Sequence, residues 1–348
     1  MTRVADRMVV GGVDTHKEIH VAAAVDGTGR ILGTKEFPTT SAGHKAMLRW
    51  WARKGRLLRV GVEGTGAWGA GLARFLAAQG VDVVEVDRPN RQVRRRRGKS
   101  DPVDAEAAAR AALSGEASGA PKARNGNVEM IRALRVARRS AVKARAQAMN
   151  QMHALVVTAP DSVRESLRGL TAVRLVERCV RFRSGAIDTP EAAMKFALLE
   201  LARRHRSLTL EIKRLDTELD RLVAATAPGL VARFGVSTDT AGALLVAAGD
   251  NPGRLRSEAS FAALCGSSPV QCSSGQLQRH RLNRGGDRAA NQALWRVVMV
   301  RLAHDPRTRH YVEMKRKQGR SKKEAIRCLK RYVAREVFTE LSRVPELT

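Results

Sequence analysis

The first third of the chain alternates short apolar runs with polar turns and amphipathic stretches. Five of the runs have the length of β-strands: Met8–Val13, His20–Val25, Ile31–Phe37, Leu57–Val62 and Val81–Val86. The stretch Asp26–Gly29 predicts a hairpin turn between the second and third runs. Helical patterns follow the third, fourth and fifth runs, and Ser41 and Asp101 are the expected caps of the first and last of these helices. The order β-β-β-α-β-α-β-α indicates an α/β domain.

The middle of the chain changes to a helical period. Ser114–Asn127 contains Gly, Ala and Pro residues and marks a boundary, after which Val128–Val157 predicts one long basic helix and Pro190 opens a second. The second helix carries apolar residues at steps of mostly four and three: Leu201, Leu208, Ile212, Leu215, Leu219 and Leu222. This seam predicts a coiled coil, whose partner is either the earlier helix or another subunit.

The C-terminal part is predicted to be mainly helical. Two helices are expected within Asn291–Leu341, joined across Asp305-Pro306 and Gly319. We therefore expect an α/β domain over 1–118, a helical coiled-coil region over 119–226 and a mainly α C-terminal domain over 227–348.

The charge of the chain points to a polyanionic partner. Lys and Arg number 63 against 34 Asp and Glu, and the net charge is +29. Such a surplus favours nucleic acid, although aromatic residues make up only 4% and argue against a base-stacking platform. The sequence contains neither an apolar run of about 18 residues nor a signal peptide, so we expect a cytoplasmic protein that does not bind membranes. The four cysteines form no Cys-x-x-Cys pair, which predicts reduced thiols without zinc.

Four acidic residues fall where an α/β sheet collects ligands. Asp14 closes the first strand and Glu63 closes the fourth, while Asp101 and Asp104 open the last helix of the domain. Close carboxylates repel by about 4 kcal/mol per pair at an effective dielectric near 20, so they need a cation. Oxygen ligands suit Mg²⁺ or Mn²⁺, and two such metals can clamp the oxygens of a phosphodiester. The alternative for each acid is a structural role, as a turn residue, a strand end or the N-cap before Pro102.

Three motifs around these acids resemble one family. Val13–Glu18, Val62–Gly66 and Lys99–Ala105 are similar to the motifs of insertion-sequence transposases with an N-terminal RuvC-like domain, whose acids spell Asp-Glu-Asp-Asp. The resemblance runs from about Val9 to Phe338. It implies a ribonuclease-H-like (RuvC-like) N-terminal domain, which agrees with the predicted strand order, and it implies that Asp14, Glu63, Asp101 and Asp104 bind the metal and are catalytic.

A second stretch, Cys265–Gly275, resembles the C-terminal motif of the same family. Matched residue by residue, the resemblance implies that Ser274 is the nucleophile, with Ser273 as the fallback, and that it forms a 5′-phosphoserine link to DNA. It also implies element-end and target DNA as substrates, a structured guide RNA, and a homo-oligomer (a dimer or tetramer) whose active sites combine domains of different subunits. Without the resemblance, a serine before glycine is most often a turn residue.

Basic clusters supply the candidate contacts to nucleic acid. A basic run precedes the Asp101 helix, a second group follows the serine stretch, and a third lies near the C-terminus. The expected phosphate contacts are Arg94, Arg95, Arg96, Arg97, Arg279, Arg281, Arg284, Lys322 and Lys323. The alternative for each run is a solvated, flexible face.

The leading hypothesis is therefore a DNA transposase or recombinase, and three alternatives stay open. A metal-dependent nuclease or junction resolvase would use water and leave Ser274 without a role. A non-catalytic nucleic-acid-binding protein would use the acids only as caps. An actin-like ATPase shares the strand order, but the sequence contains no evident second half of that kind.

Overall fold

The computed structural model describes residues 7–86, 100–183, 185–273, 280–283 and 285–343. These residues form two compact units. The first unit runs from the N-terminal strands to Gly126 and also includes the later segment Ala248–Ser257. The second unit comprises Asn127–Ala247 and, in the described part of the C-terminal region, residues 258–343.

A five-stranded mixed sheet forms the centre of the first unit. Its strands are β1 (Met8–Thr15), β2 (Ile19–Asp26), β3 (Ile31–Pro38), β4 (Arg56–Glu63) and β5 (Asp82–Val86). Their order across the sheet is β3-β2-β1-β4-β5. The pairs β1–β2 and β2–β3 are antiparallel, whereas β1–β4 and β4–β5 are parallel. All five predicted strands are confirmed, each within two residues of its predicted ends.

Helices cover both faces of the sheet. They are α1 (Ser41–Ala52), α2 (Ala70–Ala78) and α3 (Asp101–Ser114). Val9 and Val13 pack in one core with Trp51 of α1 and Leu76 of α2. Val10 lies in a separate core with the alanines of α3. Because successive side chains of a strand point to opposite faces, α3 covers one face and α1 and α2 cover the other.

Two paired glycines allow α3 to lie very close to the sheet. Gly12 of β1 and Gly61 of β4 are in register on adjacent parallel strands. A Cβ at Gly12 would stand 2.1 Å from the backbone nitrogen of Ala109, and one at Gly61 would stand 2.4 Å from the carbonyl oxygen of Ala108. Only residues without a Cβ permit this packing, which fixes the position of the N-terminus of α3 beside the end of β1.

Both predicted caps are wrong by one residue. The N-cap of α1 is Thr40, whose hydroxyl accepts from the Gly43 N–H at 3.1 Å, and the N-cap of α3 is Ser100, in extended conformation. Asp101 is therefore the first helical residue of α3 and not its cap. Because Pro102 is accepted anywhere in the first turn, its presence did not define the start of the helix to one residue.

The later segment Ala248–Ser257 packs on the first unit through polar contacts. Asn251 Oδ1 accepts from the Ala123 N–H at 3.0 Å, and Asn251 Nδ2 donates to the Pro121 carbonyl at 3.0 Å. Arg254 Nε donates to the Ala120 carbonyl at 3.0 Å, and its guanidinium lies 3.7 Å from Glu85 of β5. These contacts join the segment to β5 and to residues 120–123, which lie shortly before the end of the first part of this unit at Gly126.

The second unit is built mainly from helices. Its helices are α4 (Asn127–Val157), α5 (Asp161–Leu167), α6 (Ala172–Val180), α7 (Pro190–Thr226), α8 (Pro228–Val231), α9 (Thr238–Ala248), α10 (Glu258–Leu264), α11 (Arg288–His304), α12 (Pro306–Lys317) and α13 (Lys322–Leu341). The last residue of α9, Ala248, begins the segment that packs on the first unit. In the part of the chain that the structure describes, every helix is too short or too polar to span a bilayer.

The long helices α4 and α7 pack against each other. Arg138 of α4 forms an ion pair with Asp216 of α7, and Ile212 and Leu219 of the predicted seam are buried. The partner of the seam within this chain is therefore the earlier helix, while a coiled-coil geometry stays a prediction.

The C-terminal helices number three, not the two expected from the sequence. Asp305 caps α12 through its carboxylate, with Pro306 in the first turn, and Gly319 ends α12 at a φ of +79°. Ser321 and Glu324 then form a capping box that starts α13. Each of the two junctions that the sequence indicated thus separates a pair of helices. Before them, β6 (Val270–Gln271) and β7 (His280–Arg281) pair antiparallel.

Candidate metal centre and nucleic-acid interface

Two acidic side chains and one imidazole converge at the carboxyl end of β1. Asp14, His16 and Asp101 each offer one ligand atom, and these atoms all lie within 4.8 Å of one another. His16 Nε2 stands 3.2 Å from Asp14 Oδ2 and 3.3 Å from Asp101 Oδ2. Residues that are far apart in the sequence, from β1 and from α3, therefore meet at one point.

The backbone of two strands and one helix positions these groups. Val13 of β1 pairs with Val62 of β4, and the Thr15 hydroxyl donates to the Glu63 carbonyl at 2.9 Å. The ends of the two central strands are thereby fixed together. Asp101 lies in the first turn of α3, where the helix dipole stabilises a carboxylate.

The negative charge of the Asp14 carboxylate is destabilised by its surroundings, and a cation would stabilise it. The residue is only 8% exposed, and burial raises the pKa of its carboxyl group. His16 lowers the pKa of Asp14, while the negative charges of Asp101 and Asp104 raise it further. A divalent cation would offset both the burial and the repulsion, so this donor set fits a divalent metal.

The structure places the other two predicted acids near this point but outside the group of three. Asp104 lies one turn along α3, is only 2% exposed, and is close enough to raise the pKa of Asp14. Glu63 ends β4 beside Thr15. Among the described residues, the set of ligand atoms within 4.8 Å of one another does not include Glu63 or Asp104.

His16 was not predicted as part of the site. A local signal for it existed, because residues at positions i and i+2 of an extended chain point to the same side. Asp14 and His16 have this spacing at the end of β1. The predicted ligands were all carboxylates, because oxygen ligands suit the expected Mg²⁺ or Mn²⁺.

Several predicted site residues lie outside the described residues. They are Arg94, Arg95, Arg96, Arg97, Ser274, Arg279 and Arg284. The fallback serine, Ser273, is described and exposed, and Gln271 Nε2 donates to its hydroxyl at 3.3 Å. Arg281 lies on β7, and Lys322 and Lys323 lie in the first turn of α13, all three exposed.

Two family models match the chain, one in each half. A transposase model named for IS110 and for the Asp-Glu-Asp-Asp residues matches residues 11–159, which contain all four predicted acids. A model described as "Transposase IS116/IS110/IS902 family" matches residues 230–313. No curated protein matches the chain. Together the two family matches span about two thirds of the sequence and imply DNA binding with a divalent metal. The chain belongs to the IS110 family of DEDD transposases.

Proposed function

We propose that the protein is a DNA transposase that cleaves and rejoins strands through a covalent phosphoserine, assisted by a divalent metal. The observation that carries the proposal is the convergence of Asp14, His16 and Asp101 at the end of β1, inside the segment that matches the IS110 model. A cap or turn role for Asp14 and Asp101 would not require their carboxylates to meet.

The metal assignment rests on the ligand types. Asp14, Glu63, Asp101 and Asp104 would hold Mg²⁺ or Mn²⁺, both of which favour carboxylate oxygens, and His16 would favour Mn²⁺. When bound, such an ion polarises a phosphodiester for displacement. The buried Asp14 carboxylate orients the site, and α3 presents Asp101 and Asp104 from its positively polarised end.

The topology supports a ribonuclease-H-like assignment for the first unit. Three antiparallel strands are followed by two strands parallel to the first, in the order β3-β2-β1-β4-β5. Ligands of open α/β sheets bind beyond the carboxyl ends of the parallel strands, where Asp14 and Glu63 lie.

In the serine step, Ser274 Oγ attacks the phosphorus of a DNA phosphodiester. The new Oγ–P bond forms as the P–O3′ bond breaks, and the proton of the serine hydroxyl is balanced by protonation of the leaving 3′-oxygen. The product is a 5′-phosphoserine and a free 3′-hydroxyl. Attack by a second 3′-hydroxyl on this phosphoserine then rejoins DNA and releases Ser274. Arg281 lies on β7, the strand that follows the serine stretch in the sequence, and is exposed. Its charge supports phosphate binding close in sequence to Ser274.

The same proposal includes the partners of the family. The protein acts in the cytoplasm on element-end and target DNA, is guided by a structured RNA, and works as a homo-oligomer in which the serine and the metal site act on one phosphodiester. The net charge of +29 supports a partner with many phosphates. The exposed Lys322 and Lys323 and the basic run Arg94–Arg97 are the proposed backbone contacts.

The test is to capture the covalent intermediate. Purified protein, Mg²⁺, candidate RNA and labelled element-end DNA are expected to give a DNA–protein adduct that survives denaturation. Ser274→Ala is expected to abolish the adduct, Ser273→Ala to retain it, and Asp14→Asn to reduce it at least a hundredfold. An adduct that is unchanged in Ser274→Ala and lost in Ser273→Ala would move the nucleophile to Ser273.

A second candidate is a metal-dependent nuclease that uses water. It is favoured by the fact that Asp14, His16 and Asp101 all belong to the first unit, so that metal binding there requires no serine. This candidate predicts cleavage of branched DNA at equal rates by the wild type and Ser274→Ala, without an adduct. If Asp14→Asn leaves every activity unchanged, the protein is instead a non-catalytic nucleic-acid-binding protein.

A further inference from the structure

The second unit contains a cavity of about 650 Å³ with a strongly basic lining. The loop Gly266–Pro269 and the stretch His280–Asn283 form one side, and residues of α12, of α13 and of the turn between them form the other. The Lys and Arg side chains of the lining are Arg281, Lys315, Arg320, Arg327, Lys330 and Arg331. We call this space the C-terminal cavity.

The acidic groups around the C-terminal cavity do not balance its positive charge. Among the described residues of the lining, Glu324 supplies the one carboxylate. Its Oε1 lies 3.8 Å from a guanidinium nitrogen of Arg320 and 3.8 Å from one of Arg327. Glu258, outside the lining, pairs with Arg331 at 2.5 Å. Within the described part of the chain, the side chains of Arg281, Lys315 and Lys330 form no ion pair with a carboxylate.

Lys330 is the most informative of these cations, because it is only 6% exposed. Its Nζ donates to Asn291 Oδ1 at 2.6 Å, a neutral acceptor. Burial lowers the pKa of its ammonium group, which expresses the cost of holding a charge there. A buried cation without a counter-ion is costly, and an anion in the cavity would offset that cost.

The position of Lys330 is fixed by a chain of hydrogen bonds. Asn291 Nδ2 donates to the Cys265 carbonyl at 2.7 Å and to the Gly266 carbonyl at 3.1 Å. Gly266 has a φ of +62°, and a Cβ there would stand 2.6 Å from the Gly285 carbonyl oxygen. The ammonium is therefore preorganised against a tight loop, and an anion would meet it without a change of side-chain conformation.

We propose that the C-terminal cavity binds a backbone phosphate of a DNA strand, with the Lys330 ammonium as its innermost contact. The phosphate would be held between the loop Gly266–Pro269 and the basic side chains of α12, α13 and the turn between them, all within the second unit. The assignment rests on the proposed function only in that the second unit handles DNA, and it requires neither the serine chemistry nor a metal. Lys330 is a binding residue in this proposal.

The test measures binding of a fluorescein-labelled single-stranded DNA 12-mer to the full chain in EDTA, across a series of KCl concentrations. Removing metal excludes cleavage, so failure of the catalytic proposal would not affect the result. Lys330→Met is expected to weaken binding roughly tenfold and to reduce the slope of log K against log salt by about 0.7. Arg281→Met is expected to act in the same direction while it leaves the Lys330–Asn291 bond intact.

The matched control is Lys45→Met, an exposed lysine of α1 that loses the same charge. It is expected to leave the affinity and the slope within error of the wild type. The unfolding midpoints of all variants test whether Lys330→Met is folded. If it is not folded, Arg281→Met still tests the proposal. Equal affinities and slopes for the wild type, Lys330→Met and Arg281→Met would overturn the proposal.

Two further arms distinguish the source of the phosphate. Binding of an RNA 12-mer of the same sequence is expected to weaken less in Lys330→Met than binding of the DNA does. If Lys330→Met weakens binding of the RNA but not of the DNA, the assignment to DNA is wrong. Inorganic phosphate at constant ionic strength is expected to compete with the DNA in the wild type and not in Lys330→Met. If inorganic phosphate protects the wild type against unfolding but does not compete with DNA, the site binds free phosphate and the proposal is wrong.

Discussion

The backbone of Ala109 lies directly over Gly12, so that a methyl group at residue 12 would stand 2.1 Å from the Ala109 nitrogen. This relationship determines how close α3, with Asp101 and Asp104 in its first turn, comes to the strand that carries Asp14. Gly12→Ala is therefore expected to lower the free energy of unfolding by about 3 kcal/mol through overpacking. It is also expected to abolish metal-dependent activity.

The control for this substitution is Gly119→Ala, because a Cβ at Gly119 meets nothing within 4 Å. Chemical denaturation should place Gly119→Ala within about 0.5 kcal/mol of the wild type. A Gly12→Ala variant as stable as this control would show that α3 moves away from β1 at little cost, contrary to the packing.

Metal binding should depend on the buried carboxylate of Asp14. Mn²⁺ is expected to raise the unfolding midpoint of the wild type, since a ligand that binds only the folded state stabilises it. Asp14→Asn should remove this increase. Asp26→Asn is the matched control, because Asp26 accepts hydrogen bonds from Thr28 in an exposed turn away from the site. A metal-induced increase that survives Asp14→Asn would contradict the site.

His16 should influence which metal binds best. Its imidazole lies between Asp14 and Asp101, and nitrogen ligands suit Mn²⁺ better than Mg²⁺. His16→Asn is expected to weaken Mn²⁺ binding about tenfold and Mg²⁺ binding much less. Titration calorimetry with each ion measures the two affinities, and equal losses for both would show that His16 only orients the carboxylates.

Two stacked histidines should make the first unit sensitive to acid. His20 is 1% exposed and stacks on His44 at 5.7 Å between ring centroids. Burial, with smaller contributions from His44 and His16, lowers the pKa of His20 to about 4. The folded state thus favours the neutral ring. The free energy of unfolding therefore keeps its full value above the unfolded pKa of about 6.5 and decreases as the pH is lowered below it. At pH 5 the expected decrease is about 2 kcal/mol.

Denaturation of the wild type and of His20→Leu at pH 7 and pH 5 measures this contribution. The variant cannot titrate at residue 20, so it should lose less stability than the wild type over this interval. If both proteins lose the same amount, His20 is protonated in the folded state and its pKa is not lowered.

Arg254 should stabilise the first unit more than its neighbour Arg256 does. Arg254 is largely buried, bonds to the Ala120 and Ala248 carbonyls, and lies near Glu85. Arg254→Met should cost about 2 kcal/mol, since it leaves these acceptors without their charged donor. Arg256 is exposed and donates to the Ser118 carbonyl at 2.9 Å, so Arg256→Met should cost less than about 1 kcal/mol. Equal losses would contradict the role of burial.

The strands and long helices of this fold could be predicted because their signals are local. Each strand is an apolar run between turn residues, and α4 begins one residue before its predicted start, at Asn127. The caps at Thr40 and Ser100 were missed, because Thr, Ser and Asp in adjacent positions satisfy the same capping rule. The C-terminal helices were predicted as two and number three, although Pro306 and Gly319 had been identified as the junctions between them.

The candidate site could be predicted in part for the same reason. The positions of Asp14, Glu63, Asp101 and Asp104 at the ends of predicted elements indicated a shared site before the family resemblance was considered, and the structure brings Asp14 and Asp101 together with His16. His16 was not predicted, although its spacing from Asp14 is a local signal, because its approach of 3.3 Å to Asp101 is set by the fold. The burial of Lys330 against Asn291 has no local signature, since the two residues lie 39 positions apart on different helices.

The placement of Ala248–Ser257 in the first unit also sets an order of events during synthesis. All five strands of the sheet leave the ribosome before residue 90, but the side chains of Asn251 and Arg254 that bond to residues 120–123 are made more than 150 residues later. While the two long helices are translated, the nascent first unit therefore lacks the hydrogen bonds from Asn251 and Arg254. A fragment that ends at Gly126 lacks these hydrogen bonds, so we expect it to be less stable than the same fragment supplied with residues 248–257.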